Sequence, residues 1–86
     1  MTRYLQVITT LPGEKEAREL AASLVQDRLA ACIQIDAPIT SVYRWEGKVA
    51  TASEWRLSIK LPAGNYAELE AAIRSRHPYE IPEIIA

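Results

Sequence analysis

One stretch constrains the fold more than any other: residues 30–61, ACIQIDAPITSVYRWEGKVATASEWRLSIKL, two long extended runs joined at a single tight turn. Ile33, Ile35, Ala37, Ile39, Ser41 and Tyr43 occupy the odd positions of the first run. Val49, Thr51, Ser53, Trp55, Leu57, Ile59 and Leu61 occupy those of the second, and the even positions are mostly polar or small. Alternation of this length predicts two half-buried strands. Residues facing each other in a hairpin share a face, so odd should pair with odd, and the loop should hold an odd number of residues. Trp45-Glu46-Gly47 meets that requirement, with Gly at the left-handed position of a three-residue loop. Arg44 and Lys48 would close it, with Tyr43 opposite Val49 and Ile35 opposite Leu57. Pro38 has no N–H for a ladder and predicts an edge strand or a bulge.

The rest of the chain arranges itself around this hairpin. Residues 3–9 (RYLQVIT) read as a central strand buried on both faces, broken by Leu11-Pro12-Gly13. Residues 14–29 read as a helix with Ala17, Leu20, Ala21, Leu24, Val25 and Leu29 on one stripe. Glu14 and Glu16 fall in its first turn and Arg28 in its last, all favourable to the helix dipole. Residues 66–76 read as a second helix with Tyr66, Leu69, Ala72 and Ile73 inward, stopped by Pro78. Residues 83–86 (EIIA) read as the start of a fourth strand.

The order β-α-β-β-α-β is the split-βαβ, ferredoxin-like arrangement of the α+β class, a sandwich with both helices on one face of an antiparallel sheet. Its first and third strands are central and its second and fourth are edges. A long bare edge invites pairing with another copy, so an oligomer built by strand addition is expected. Eighty-six residues make one small domain, 1–86, which gains from association.

Composition narrows the function. A net charge of −1 speaks against a nucleic-acid surface, and no segment is long and apolar enough to span a bilayer. Cys32 is the only cysteine, so no internal disulfide forms, and a cytoplasmic protein is expected. No Gly-rich phosphate loop, Cys/His metal spacing or Ser-His-Asp set stands out, and the chain is not expected to be an enzyme. Glu80 and Glu83 could flank a cleft as acid and base, giving a third reading as a small hydrolase or isomerase with His77.

At this point a family resemblance becomes visible. LAAC (29–32), SVYRWEGK (41–48), Lys60 and HPYEIPEI (77–84) resemble the CutA divalent-cation-tolerance proteins. The resemblance implies a ferredoxin-like fold, a PII-like homotrimer joined at strand edges, and a role in tolerance of copper and other divalent metals without known catalysis. Copper or another divalent ion, or a small ligand at subunit clefts, is the implied occupant. A PII-like small-molecule-sensing regulator is the alternative. Family members continue into a further strand and a C-terminal helix, whereas this sequence stops at Ala86. Copper ligands proposed in the family fall on Thr9, Arg76 and His77, of which only His77 is a good donor.

His77 reads either as a helix-terminal side chain bonded to a backbone carbonyl, its protonated form favoured by the dipole, or as a metal ligand. Cys32 reads as a small buried residue facing away from Ile33 and Ile35. Tyr43, Trp45 and Tyr79 read as subunit-contact anchors, or as the aromatic walls of an intersubunit pocket with Lys60, Glu54 and Glu83 as polar contacts. Glu54 and Lys60 share the even face of the third strand and form a candidate ion pair.

Overall fold

The computed structural model describes residues 3–86. Its elements are β1 (Tyr4–Leu11), α1 (Glu14–Gln26), β2 (Cys32–Ile35), β3 (Ile39–Trp45), β4 (Lys48–Pro62) and α2 (Tyr66–Arg76), with a 3₁₀ turn (Ala63–Asn65) leading into α2. The strands are antiparallel, in the order β1-β4-β2, with β3 continuing along β4. Val7, Leu11, Leu57, Ile59 and Leu61 of the sheet form one core with Leu20 and Leu24 of α1 and Leu69 and Ile73 of α2. This is the ferredoxin-like α+β sandwich expected from the order of elements.

The long first run of the hairpin is not one strand. β2 pairs with β4 odd to odd, Ile33 with Ile59 and Ile35 with Leu57, as expected. Asp36, Ala37 and Pro38 then oppose only Trp55 and Arg56, and pairing resumes at Ile39 with Glu54. One extra residue has entered the first run, as in a bulge, at the proline that lacks a ladder donor. Asp36 anchors the break: its N–H donates to the Arg56 carbonyl at 2.9 Å. Its carboxylate meets Arg56 Nε at 2.6 Å.

The shift overturns the expected turn. Trp45 pairs with Lys48 and Tyr43 with Ala50, so the loop is the two residues Glu46-Gly47 and not three. Glu46 has φ 50° and Gly47 φ 79°, the pair of positive angles a type I′ turn requires. The bulge absorbs the odd residue that the parity argument assigned to the loop. Odd residues of β3 now share a face with even residues of β4, including Glu54.

Other boundaries move for local reasons. β1 runs on to Leu11, and only its far end is covered on both faces, at Thr9, Thr10 and Leu11. Helix α1 stops at Gln26, not residue 29, because the chain turns left-handed at Arg28 (φ 60°). Arg28 therefore lies beyond the last helical turn, and Val25 is exposed despite its place on the expected stripe. Helix α2 has the expected bounds, and the residue after it, His77, is held extended by Pro78. The expected fourth strand reduces to a bridge in which Ile8 and Ile85 exchange both backbone hydrogen bonds, at 2.7 and 3.0 Å. Cys32 is exposed, contrary to its buried reading.

Candidate functional site

The site begins where α2 ends. Pro78 cannot follow a helical residue comfortably, so His77 leaves α2 at φ −79°, ψ 138° and turns the chain across the end of β1. The His77 ring is buried there, 8% exposed. Its Nδ1 accepts the Tyr79 N–H at 3.1 Å, which leaves the ring proton on Nε2 to donate to the Thr10 carbonyl at 2.7 Å. The imidazole is thus held neutral in one tautomer. Burial pushes its pKa down; the Thr10 hydrogen bond and the nearby Glu54 carboxylate only partly oppose this. The dipole-favoured protonated form expected from the sequence gives way to desolvation. Its backbone-bonded reading is what the structure shows, and both ring nitrogens are spent on the chain's own backbone.

The other two positions matched to metal ligands carry structural work. Thr9 is fully buried, its hydroxyl without a partner among the described residues. Arg76 reaches Asp27 at 2.9 Å and Ser23 Oγ at 3.1 Å, tying the end of α2 to the end of α1. Among the described residues no three His, Cys, Asp or Glu side chains converge on a point that could hold a metal ion.

From His77 the chain delivers Tyr79 to the sheet. The two rings lie 4.9 Å apart, centroid to centroid, and the Tyr79 hydroxyl donates to Glu54 Oε2 at 2.8 Å. Burial first, and then the Glu54 carboxylate, push the Tyr79 phenol up, so it stays a donor. Glu54 is 8% exposed. It sits where β4 exchanges one covered face for the other. Leu57, Ile59 and Leu61 are the buried positions under the helices; nearer the turn, Ala50, Ala52 and Glu54 are the less exposed ones.

Beside Glu54 opens a cleft of about 740 Å³, walled by the odd face of β3 (Ser41, Tyr43, Trp45) and by residues 78–83. The structure therefore brings together Tyr43, Trp45, Glu54, Tyr79 and Glu83, all expected at such a site, with Glu80, which was expected beside Glu83 at a cleft. Lys60 does not join them. It lies six residues along β4, roughly 20 Å at strand spacing, and its Nζ donates to Gln34 Oε1 at 2.8 Å, so the expected pair with Glu54 does not form. Sequence reasoning missed Thr10, whose carbonyl fixes His77, and Ile81, an exposed cleft residue. A carbonyl belongs to every residue, so Thr10 carried no signal to find. Ile81 lies within the motif that carried the family resemblance.

Comparison with known proteins places this geometry. The family described as CutA1 divalent ion tolerance protein matches residues 5–86. The divalent-cation tolerance protein CutA of Thermus thermophilus is 41% identical over 93% of this chain and 78% of its own length. Mouse CutA is 44% identical over 90% of this chain, which spans only 44% of the mouse protein. A solved structure of the Thermus protein superposes with a TM-score of 0.93 at 38% identity, covering 96% of this chain and 81% of that one. The structure of a protein described as PII-like CutA, from Nostoc, superposes at 0.86 with 30% identity, over 99% and 77% of the two chains. A backbone match of this quality, at this identity and over nearly the whole chain, leaves one assignment: the chain belongs to the CutA1 family of divalent ion tolerance proteins.

Proposed function

We propose that the protein serves divalent-cation tolerance as a cytoplasmic, non-catalytic homotrimer that takes a small ligand in the cleft beside Glu54. The observation that carries this is the cleft itself: β3, β4 and the segment after α2 converge on one concave surface holding a buried carboxylate and three aromatic rings. Assembly is supported by the β3–β4 arm, which stretches the molecule to 44 Å and exposes Val42, Trp45 and Val49 to 66, 59 and 72%. Apolar side chains this exposed on a projecting ribbon gain from cover by a sister copy. A binding role agrees with His77, whose ring nitrogens are both engaged and cannot move a proton at the cleft.

Copper is the other occupant the family suggests, and to hold it His77 would have to release the Tyr79 N–H from Nδ1, its Nε2–H staying on the Thr10 carbonyl. Titration calorimetry with copper(II) and zinc(II), on the wild type and on His77→Ala, separates the two, with mass followed by light scattering. The expected result is a three-chain mass and no heat that depends on His77. A single-chain mass at micromolar protein defeats the assembly; copper heat abolished by His77→Ala defeats the small-ligand reading. The PII-like regulator shares the same cleft and is favoured by the likeness to the Nostoc protein. It requires in addition a partner protein whose binding changes when the cleft fills.

A further inference from the structure

We propose that the ligand of this cleft is a small organic cation, with Glu54 as its counter-charge and the rings of Tyr43, Trp45 and Tyr79 as its walls. This rests on the reading of the cleft as a ligand site and names the chemical class it takes. Three of the lining residues are glutamates (Glu54, Glu80, Glu83), and none is Lys, Arg or His. Glu80 and Glu83 are exposed and by themselves would be a solvated acidic rim. Glu54 is different: it is 92% buried (8% exposed), and among the described residues no cationic side chain pairs with it. Its Oε2 takes the Tyr79 hydroxyl, while Oε1 has no hydrogen-bond partner among those residues. Oε1 is not sealed from solvent, so a positive charge entering the cleft can reach a carboxylate that the fold otherwise shields and that a phenol hydroxyl alone answers. The open side of Glu54 is the cleft.

The walls decide which cation fits. A bare divalent ion wants several oxygen or nitrogen ligands at once, and no such convergence exists among the described residues. Aromatic faces, in contrast, attract weakly hydrated ammonium or guanidinium groups, and three aromatic side chains line this cleft. The Tyr79 hydroxyl, already committed to Glu54, orients the carboxylate across the site. An alkylammonium head between the rings would complete the ionic pair that the chain leaves open, with Glu80 and Glu83 raising its local concentration at the mouth.

The test is calorimetric titration of the assembled full chain, at fixed ionic strength, with three probes: choline, its neutral isostere 3,3-dimethylbutan-1-ol, and the anion glutarate. Each is taken to about 10 mM, ten times a millimolar Kd. Choline is expected to give saturable heat with a change in tryptophan emission, and the isostere and glutarate none. Glu54→Gln should weaken choline about tenfold or more. Should Glu54→Gln fail to fold by circular dichroism, Glu83→Gln, at an exposed position, should still weaken choline measurably. Equal binding of choline and the isostere, or tighter binding of glutarate, overturns the cationic class while leaving the cleft a ligand site. Silence from all three overturns both.

Discussion

Thr9 carries a hydroxyl to a position where nothing answers it. The residue is fully buried and its Oγ1 has no partner among the described residues, so the chain bears the desolvation of that group without return. Thr9→Val keeps the shape and removes the orphan atom. It should stabilise the fold by about 1 kcal/mol, read as a higher urea midpoint at unchanged slope. His77 makes the opposite case, a polar group fully used. Its pKa is lowered below 6.5 in the folded chain, so between the two values the unfolded chain binds more protons. Its contribution to stability is whole above about pH 6.5 and is lost as pH falls below that value. Urea midpoints measured from pH 7.5 down to pH 5 (a range of roughly one unit or more either side of the usual histidine pKa) should fall for wild type and fall less for His77→Gln. Equal slopes in the two proteins would remove His77 as the cause.

At the scale of the element, left-handed residues decide where secondary structure stops, at Arg28 and at Glu46-Gly47. After α1, Arg28 N–H bonds the Val25 carbonyl at 3.0 Å and Leu29 N–H the Leu24 carbonyl at 2.9 Å. That pairing is a Schellman motif, with Arg28 at the position usually given to glycine and Leu29 packed back on the core. Its apolar residue continues the helical stripe in the sequence, and the missing glycine hid the stop. Arg28→Gly should stabilise by about 1 kcal/mol, since the left-handed angle strains any residue with a Cβ. The hairpin turn repeats the argument: an added Cβ on Gly47 meets nothing within 4 Å, but its φ of 79° is strained. Gly47→Ala should cost about 1 kcal/mol from strain alone, measured by thermal or urea unfolding.

At the scale of the molecule, the arm is the feature the isolated fold does not account for. β4 leaves the helix-covered core at Trp55 and runs on with β3 to the Glu46-Gly47 turn, carrying Val42, Trp45 and Val49 into the open. If sister copies cover it, Trp45→Glu should lower the solution mass toward that of one chain while leaving far-ultraviolet circular dichroism unchanged. An unchanged mass would place the contact elsewhere. The cleft shares this ribbon, with Trp45 in both surfaces, so loss of assembly and loss of ligand binding should travel together in that variant. Among the described residues no helix is long and apolar enough to cross a membrane.

The amino-acid order by itself determined the kind and sequence of the elements, because periods of two and of 3.6 are local and survive without knowledge of neighbours. It also marked Tyr43, Trp45 and Tyr79, large aromatics outside the expected core, with Glu54 and Glu83 as polar contacts beside them. Only the tertiary structure decided the register of the arm, because one residue absorbed at Asp36-Ala37-Pro38 sets the odd residues of β3 opposite the even residues of β4, and either parity reads equally well along the chain. It likewise decided the state of His77 and the isolation of Lys60. The first depends on a carbonyl that meets His77 only when the chain leaving α2 crosses the end of β1, the second on Gln34, which the pairing of β2 with β4 brings beside Lys60.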